Sequence, residues 1–133
     1  MGAFKKVDME QDSIRKGLMN LDKNYLPYEY FEGIKYFEEV EVCKGFTINR
    51  LPTYIGIYLI FKLEPGVDVT DHYHNFKEFC YIKKGKIFLN NKIEVSAGNT
   101  FSFEPFEKYN MKVLKSTELY VQFIKEENSK SFK

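Results

Sequence analysis

Tryptophan is absent from this chain, and among its 133 residues there are only two cysteines, two histidines and four prolines. Each scarcity removes a class of protein. Cys43 and Cys80 lie far apart and form no CxxC pair, so a thiol redox motif and a cysteine zinc knuckle are excluded, and free thiols in a reducing cytoplasm are expected. An excess of one charge is also missing. Twenty basic against nineteen acidic residues leave a formal charge of +1, too little for an overall field that would hold nucleic acid or an anionic membrane. The Lys83-Lys84 pair reads as a solvated strand end rather than a phosphate site. The longest apolar run, Ile55 to Phe61, is too short to span a bilayer. Met1 to Lys6 has no signal-peptide core, and Lys6 stands where a myristoylation motif needs Ser or Thr. The expectation is a soluble cytoplasmic protein that binds neither nucleic acid nor membrane.

Aromatic side chains are plentiful instead, with thirteen Phe and ten Tyr, and 44% of residues are hydrophobic. One compact domain follows. Residues 4–22 place Val7, Met9, Ile14, Leu18 and Leu21 at roughly helical spacing, with Asp12 and Ser13 as available caps, which predicts a short helix. The proline-broken run Tyr25 to Gly33 predicts an extended arm, so that residues 1–33 pack a helix and arm onto the main body. From Ile34 the apolar period shifts towards two, and short strands follow: 39–42, 46–48, 54–63, 69–74, 78–83, 86–89, 92–95, 100–103, 109–114 and 119–124. Glycine, proline and asparagine turns separate them, with a tight hairpin at Asn90-Asn91. Residues 34–125 are thus all-β, a single antiparallel barrel or jelly roll, and 126–133 form a charged, flexible tail.

Both histidines fall in Asp71-His72-Tyr73-His74, and Asn75-Phe76-Lys77 separates them from Glu78. In a strand, residues i and i+2 share a face, so His72 and His74 can offer two imidazoles to one cation while Glu78 returns a carboxylate from the next strand. Gly66 precedes His72 by five intervening residues, and Gly85 follows Glu78 by six.

This spacing resembles the first motif of the cupins at every defining position. The second cupin motif is present in part: Gly98 opens it, but Glu104 stands at the usual first Pro, Phe106 at the usual Gly and Tyr109 at the usual fourth-ligand His. The resemblance covers roughly residues 54–125. It implies a jelly-roll barrel that binds a divalent metal through His72, His74 and Glu78. Tyr109 has three open roles: a phenolate ligand, a hydrogen-bond donor to substrate or metal-bound water, or a core tyrosine satisfied elsewhere. Cupins commonly pair through sheet edges, and the aromatic excess with the arm at 25–31 predicts a homodimer.

Strand register then selects the lumen. Glu78 brings Cys80 and Ile82 inward; Ile57, Leu59, Phe61 and Leu63 face in if Lys62 faces out; Phe101, Phe103, Met111 and Val113 join them. Cys80 reads as an inert buried thiol. A ligand pocket of Leu59, Phe61, Cys80, Phe101, Phe103 and Met111 is apolar and aromatic, which disfavours nucleotide sugars and favours a small, partly apolar molecule. Two functions compete, ahead of a zinc-stabilised structural protein in which Tyr109 would be the fourth ligand. One is a metal-dependent enzyme with dioxygenase, isomerase or lyase-type chemistry, in which Fe, Mn, Ni and Zn are not distinguished by the ligand types. The other is a non-catalytic binding or sensing module that works with a partner protein.

Overall fold

The computed structural model describes residues 5–7 and 24–125. Its order is β1 (Lys5–Val7), α1 (Tyr28–Glu32), β2 (Glu39–Cys43), β3 (Phe46–Leu51), β4 (Ile57–Leu63), β5 (Val67–His72), β6 (Lys77–Leu89), β7 (Ile93–Ser96), β8 (Thr100–Phe103) and β9 (Tyr109–Ile124). All pairings between these strands are antiparallel except β1 with β5.

Two long strands organise the rest. β6 and β9 pair along most of their lengths, but the register slips between Ile82 and Ile87. The first half of β6 pairs with β8 and the second half with β7. The first half of β9 pairs with β5 and the second with β4. Each long strand therefore serves two layers: β8-β6-β9-β4-β3-β2 on one side, and β7-β6-β9-β5-β1 on the other. The bend falls where Gly85 crosses β9. Its φ of +102° is a left-handed conformation, and a Cβ there would collide with Ser116 O and Thr117 Oγ1. Thr117 Oγ1 takes up the amide of Lys86 at 3.1 Å, so the interrupted ladder loses no donor. The result is a jelly-roll sandwich with open edges, not a ring of paired strands.

Between the layers lies one apolar core. The alternation on β4 is as the sequence suggests, with Ile57, Leu59, Phe61 and Leu63 buried and Lys62 exposed. The hairpin at Asn90 and Asn91 has both residues at positive φ (54° and 56°), the conformation a two-residue primed turn requires.

Several local expectations need correction. The helix expected over 4–22 fails at Lys5–Val7, which pairs as a strand beside Val67–Val69 because edge strand β5 offers it free backbone partners; residues 8–22 lie outside the described residues, as does the tail 126–133. The arm is not extended throughout. Tyr28–Glu32 forms a short helix behind Pro27, since Tyr28 and Phe31, three apart, can both face the core only on a helical turn. The breaks foreseen at 84–85 and 115–118 are bends in continuous strands, and Lys83-Lys84 sits mid-strand with both side chains exposed. Tyr54 to Gly56 precede β4 rather than belonging to it, and β5 ends at His72. Among the described residues no helix is long and apolar enough to cross a membrane.

Candidate metal centre

The connection from β5 to β6 crosses from one layer to the other at one end of the sandwich; His72 ends β5 and His74 lies in the connection. β5 and β9 are irregular between Val69, opposite Met111, and His72, opposite Tyr109. This irregularity changes the side-chain phase, so Val69 and His72, three apart, both face inward. His74 follows the strand and is also buried, while Glu78 enters from β6 at 1% exposure.

Hydrogen bonds set the chemistry of the rings. His72 Nδ1 lies 2.8 Å from Thr70 O, and His74 Nδ1 lies 2.8 Å from Leu26 O. A carbonyl can only accept, so each Nδ1 carries the proton and each Nε2 of the neutral ring keeps a lone pair. That is the tautomer a metal ligand needs. Burial keeps the rings neutral: it pushes His72 down to about 4 against the opposing Thr70 hydrogen bond, and it holds His74 well below the usual range with help from His72.

Glu78 is clamped on both oxygens. Tyr109 donates its hydroxyl to Oε1 at 2.9 Å, and the Cys80 thiol donates to Oε2 at 3.3 Å. Burial raises the Glu78 carboxyl to about 7, although these two hydrogen bonds pull it back. Burial and the neighbouring carboxylate push the Tyr109 and Cys80 protons well above their ordinary ranges, so both groups are donors at neutral pH. His74 Nε2 is buried without a hydrogen-bond partner, and Glu78 Oε1 stands 3.5 Å away, beyond hydrogen-bond range. An orphaned nitrogen lone pair beside a carboxylate is a site that a cation would satisfy. The donor set fits a divalent metal: two imidazoles and a carboxylate, with positions left for other ligands. As they stand, no three His, Cys, Asp or Glu side chains among the described residues converge closely enough to enclose an ion.

The space beside the rings is about 30 Å³, enough for an ion with a water or two. His72, His74, Tyr109, Phe61 and Met111 line it. The other expected pocket residues do not. Leu59 and Cys80 are buried in the core, Cys80 against Glu78, while Phe103 stacks on Tyr109 at 3.9 Å between ring centroids and Phe101 packs on Phe103 at 5.6 Å. Of these, Phe103 lies behind the Tyr109 ring, which itself lines the space. Sequence reasoning missed the lid. Leu26, Tyr30 and Phe31 from the arm close the space, and Phe123 completes it from β9. The arm is pinned there by Leu26 N to Tyr73 O at 2.9 Å and Tyr28 N to Asn75 Oδ1 at 2.9 Å. The available signal was the spacing of Leu26, Tyr28 and Phe31, which a helical reading of 28–32 would have turned inward. Cys43 and Cys80 are both free thiols.

With this geometry, solved structures of similar fold can be compared. A cupin from Shewanella frigidimarina described as RmlC-like aligns over 76% of this chain and 96% of its own, at a TM-score of 0.60 and 15% identity. KdgF from a Halomonas species aligns over 71% and 97%, at 0.58 and 16%. A predicted oxalate decarboxylase from Thermotoga maritima aligns over 71% and 95%, at 0.54 and 20%. No family model and no curated protein sequence matches the chain. The chain has the cupin fold.

Proposed function

We propose that this cupin binds one divalent cation through His72, His74 and Glu78 and acts on a small, partly apolar molecule. The observation that carries the reading is His74 Nε2, a buried lone pair with no partner, facing the Glu78 carboxylate. A divalent ion there would supply Lewis acidity or, if iron, dioxygen chemistry, which covers isomerase, lyase and dioxygenase reactions. The neighbour described as a predicted oxalate decarboxylase supports the lyase branch. The chain's own groups have defined parts. The Nδ1 hydrogen bonds orient the imidazoles, Tyr109 and Cys80 hold the carboxylate, and Tyr109 retains a proton that it can donate. Leu26, Tyr30 and Phe31 exclude water, and a substrate larger than the present space enters by displacing them.

The arm that lines this space also supports the second reading, a non-catalytic sensing module, because a ligand that displaces the arm would alter the surface seen by a partner protein. The reactions separate the two: turnover of a candidate substrate by the metal-loaded protein supports the first, and saturable binding without turnover supports the second.

Metal analysis of anaerobically purified protein tests the core claim. Wild type should carry close to one divalent ion per chain, and His72→Ala should carry none while keeping its circular dichroism, since a core of this size folds without metal. Equal metal content in both proteins would refute the site. Tyr109→Phe should keep the metal, lose about 1 kcal/mol of stability with its hydrogen bond to Glu78, and bind or turn over ligand less well. Metal loss in Tyr109→Phe would show instead that the phenol oxygen is a ligand.

A further inference from the structure

Phe106 carries a cost that core packing does not explain. Its φ of +68° is a left-handed conformation that strains any residue with a Cβ, yet its side chain is 63% exposed. The ring meets the arm instead. It lies 6.2 Å from Tyr25 and 6.3 Å from Tyr73 between centroids, and Tyr25 stacks on Tyr73 at 5.3 Å, so three rings tie the arm to the β5–β6 connection and the turn before β9. Backbone bonds follow the same path. Tyr73 N donates to Asn24 O at 3.0 Å and Phe106 N donates to His74 O at 2.7 Å, while His74 Nδ1 is held by Leu26 O at 2.8 Å. His74 is thus gripped from both sides. At the other end of the arm Arg50 donates to Glu32 O at 2.9 Å and to Ile34 O at 2.8 Å, which fixes the chain where α1 ends.

We infer that the arm is a working part of the metal centre: Leu26 is a positioning residue for His74, and the Tyr25-Tyr73-Phe106 cluster is the clasp that keeps it in place. This rests on the metal site proposed above. The two histidines differ in where their support comes from. Thr70 O serves His72 from two residues away on the same strand, whereas Leu26 O serves His74 from 48 residues away and is lost whenever the arm lifts. His72 therefore keeps its orientation without the arm, and His74 does not. Losing such an outer partner costs about 10–100-fold in metal affinity, and by linkage an ion bound at His74 holds the arm down by the same factor. The strain at Phe106 places a ring where it closes the clasp. Metal loading and arm closure then reinforce each other, so the protein without its ion opens at Tyr25 and Leu26 more often than the loaded protein does.

Hydrogen exchange on the full chain, with and without a saturating ion, reads this coupling. The protein is first titrated with Zn(II), Mn(II), Ni(II) and, without oxygen, Fe(II), and the ion held most tightly is used. Exchange at the Leu26 and Tyr28 amides, whose acceptors are Tyr73 O and Asn75 Oδ1, should slow about 10–100-fold on loading. The Glu64 amide, bonded to Gly45 O in the turn after β4, should not respond. In metal-free protein Phe106→Gly should speed exchange at Leu26 about three- to tenfold without lowering the melting temperature, because relief of the backbone offsets the lost ring contacts. Phe106→Tyr keeps the ring and should match wild type. Protein that retains none of these ions refutes the metal site and this inference with it. An ion that binds yet leaves Leu26 and Tyr28 exchanging as before overturns the inference alone, and so does Phe106→Gly with wild-type exchange at Leu26.

Discussion

Phe31→Ala is expected to destabilise the protein by about 3–5 kcal/mol and to open the space beside His72 and His74 to small apolar molecules. Phe31 is 4% exposed and meets Phe123 edge to face at 4.8 Å, Phe76 at 6.0 Å and His74 at 5.7 Å between ring centroids. Truncation removes the transfer free energy of the ring and leaves a void that these neighbours cannot fill, because each ring is held by others: Phe76 meets Phe123 at 4.3 Å and His74 at 4.5 Å. The void would add on the order of 100 Å³ to the space beside His72 and His74, and a dry apolar cavity of that size admits benzene or a similar solute. Benzene should therefore raise the melting temperature of Phe31→Ala and leave wild type unchanged. A loss under about 1.5 kcal/mol with no response to benzene would mean that α1 collapses into the gap and does not act as a rigid lid. Phe31→Leu, with a smaller void, provides an intermediate should the alanine variant fold poorly.

The role of Phe31 was not legible in the sequence, and the reason is physical. Tyr28-Glu29-Tyr30-Phe31-Glu32 is rich in residues that favour strands, and Pro27 before it suggests a break. Helical propensity is poor there; the turn is fixed by burial of Tyr28 and Phe31 on the rings of Phe76 and Phe123. Local preference loses to tertiary packing in a segment this short. The same holds at Val69, where strict alternation back from His72 would turn Thr70 inward, and only the irregular pairing with β9 brings Val69 in.

What could be read was whatever depends on spacing alone. His72, His74 and Glu78 are set by a fixed count between two glycines, and the structure buries all three, with His74 Nε2 3.5 Å from Glu78 Oε1. The alternation on β4 and β9 and the turn at Asn90-Asn91 were visible for the same reason. Continuity was harder. Lys83-Lys84-Gly85 and Lys115-Ser116 resemble loop composition, yet at a bend shared by two layers polar side chains face water from the middle of a strand. The contents of the space beside the histidines were hardest, because they depend on which of many aromatic rings reach it. Tyr109 reaches it and stands in front of Phe103, an outcome of ring packing that no periodicity encodes.

Glu78→Gln should abolish metal retention and, in metal-free protein at pH 8, should raise stability by about 2–3 kcal/mol, or about 5–10 °C in melting temperature. Burial lifts the Glu78 carboxyl from an ordinary 4.5 to about 7, so the folded chain holds this proton more tightly than the unfolded chain does. Stability therefore falls as pH rises from about 4.5 to about 7, and above that window the whole cost is present, about 3 kcal/mol. His72 runs the other way. Its folded value of about 4 costs stability only as pH falls below 6.5, so at pH 8 the carboxylate acts without it. Glutamine keeps the size of the side chain, carries no charge, and in either amide orientation leaves the Tyr109 hydroxyl and the Cys80 thiol beside a polar partner. Its advantage should shrink below about 1 kcal/mol at pH 5, where the wild-type carboxyl is protonated in the folded chain. Added divalent cation should reverse the order at pH 8, because a ligand held only by the folded wild type stabilises it by an amount that grows with the logarithm of its concentration above Kd. A glutamine variant that is less stable than metal-free wild type at pH 8 would count against this account. It would mean that the carboxylate is held by the fold itself, whereas a carboxylate that weakens the empty fold and strengthens the loaded one is present for the cation.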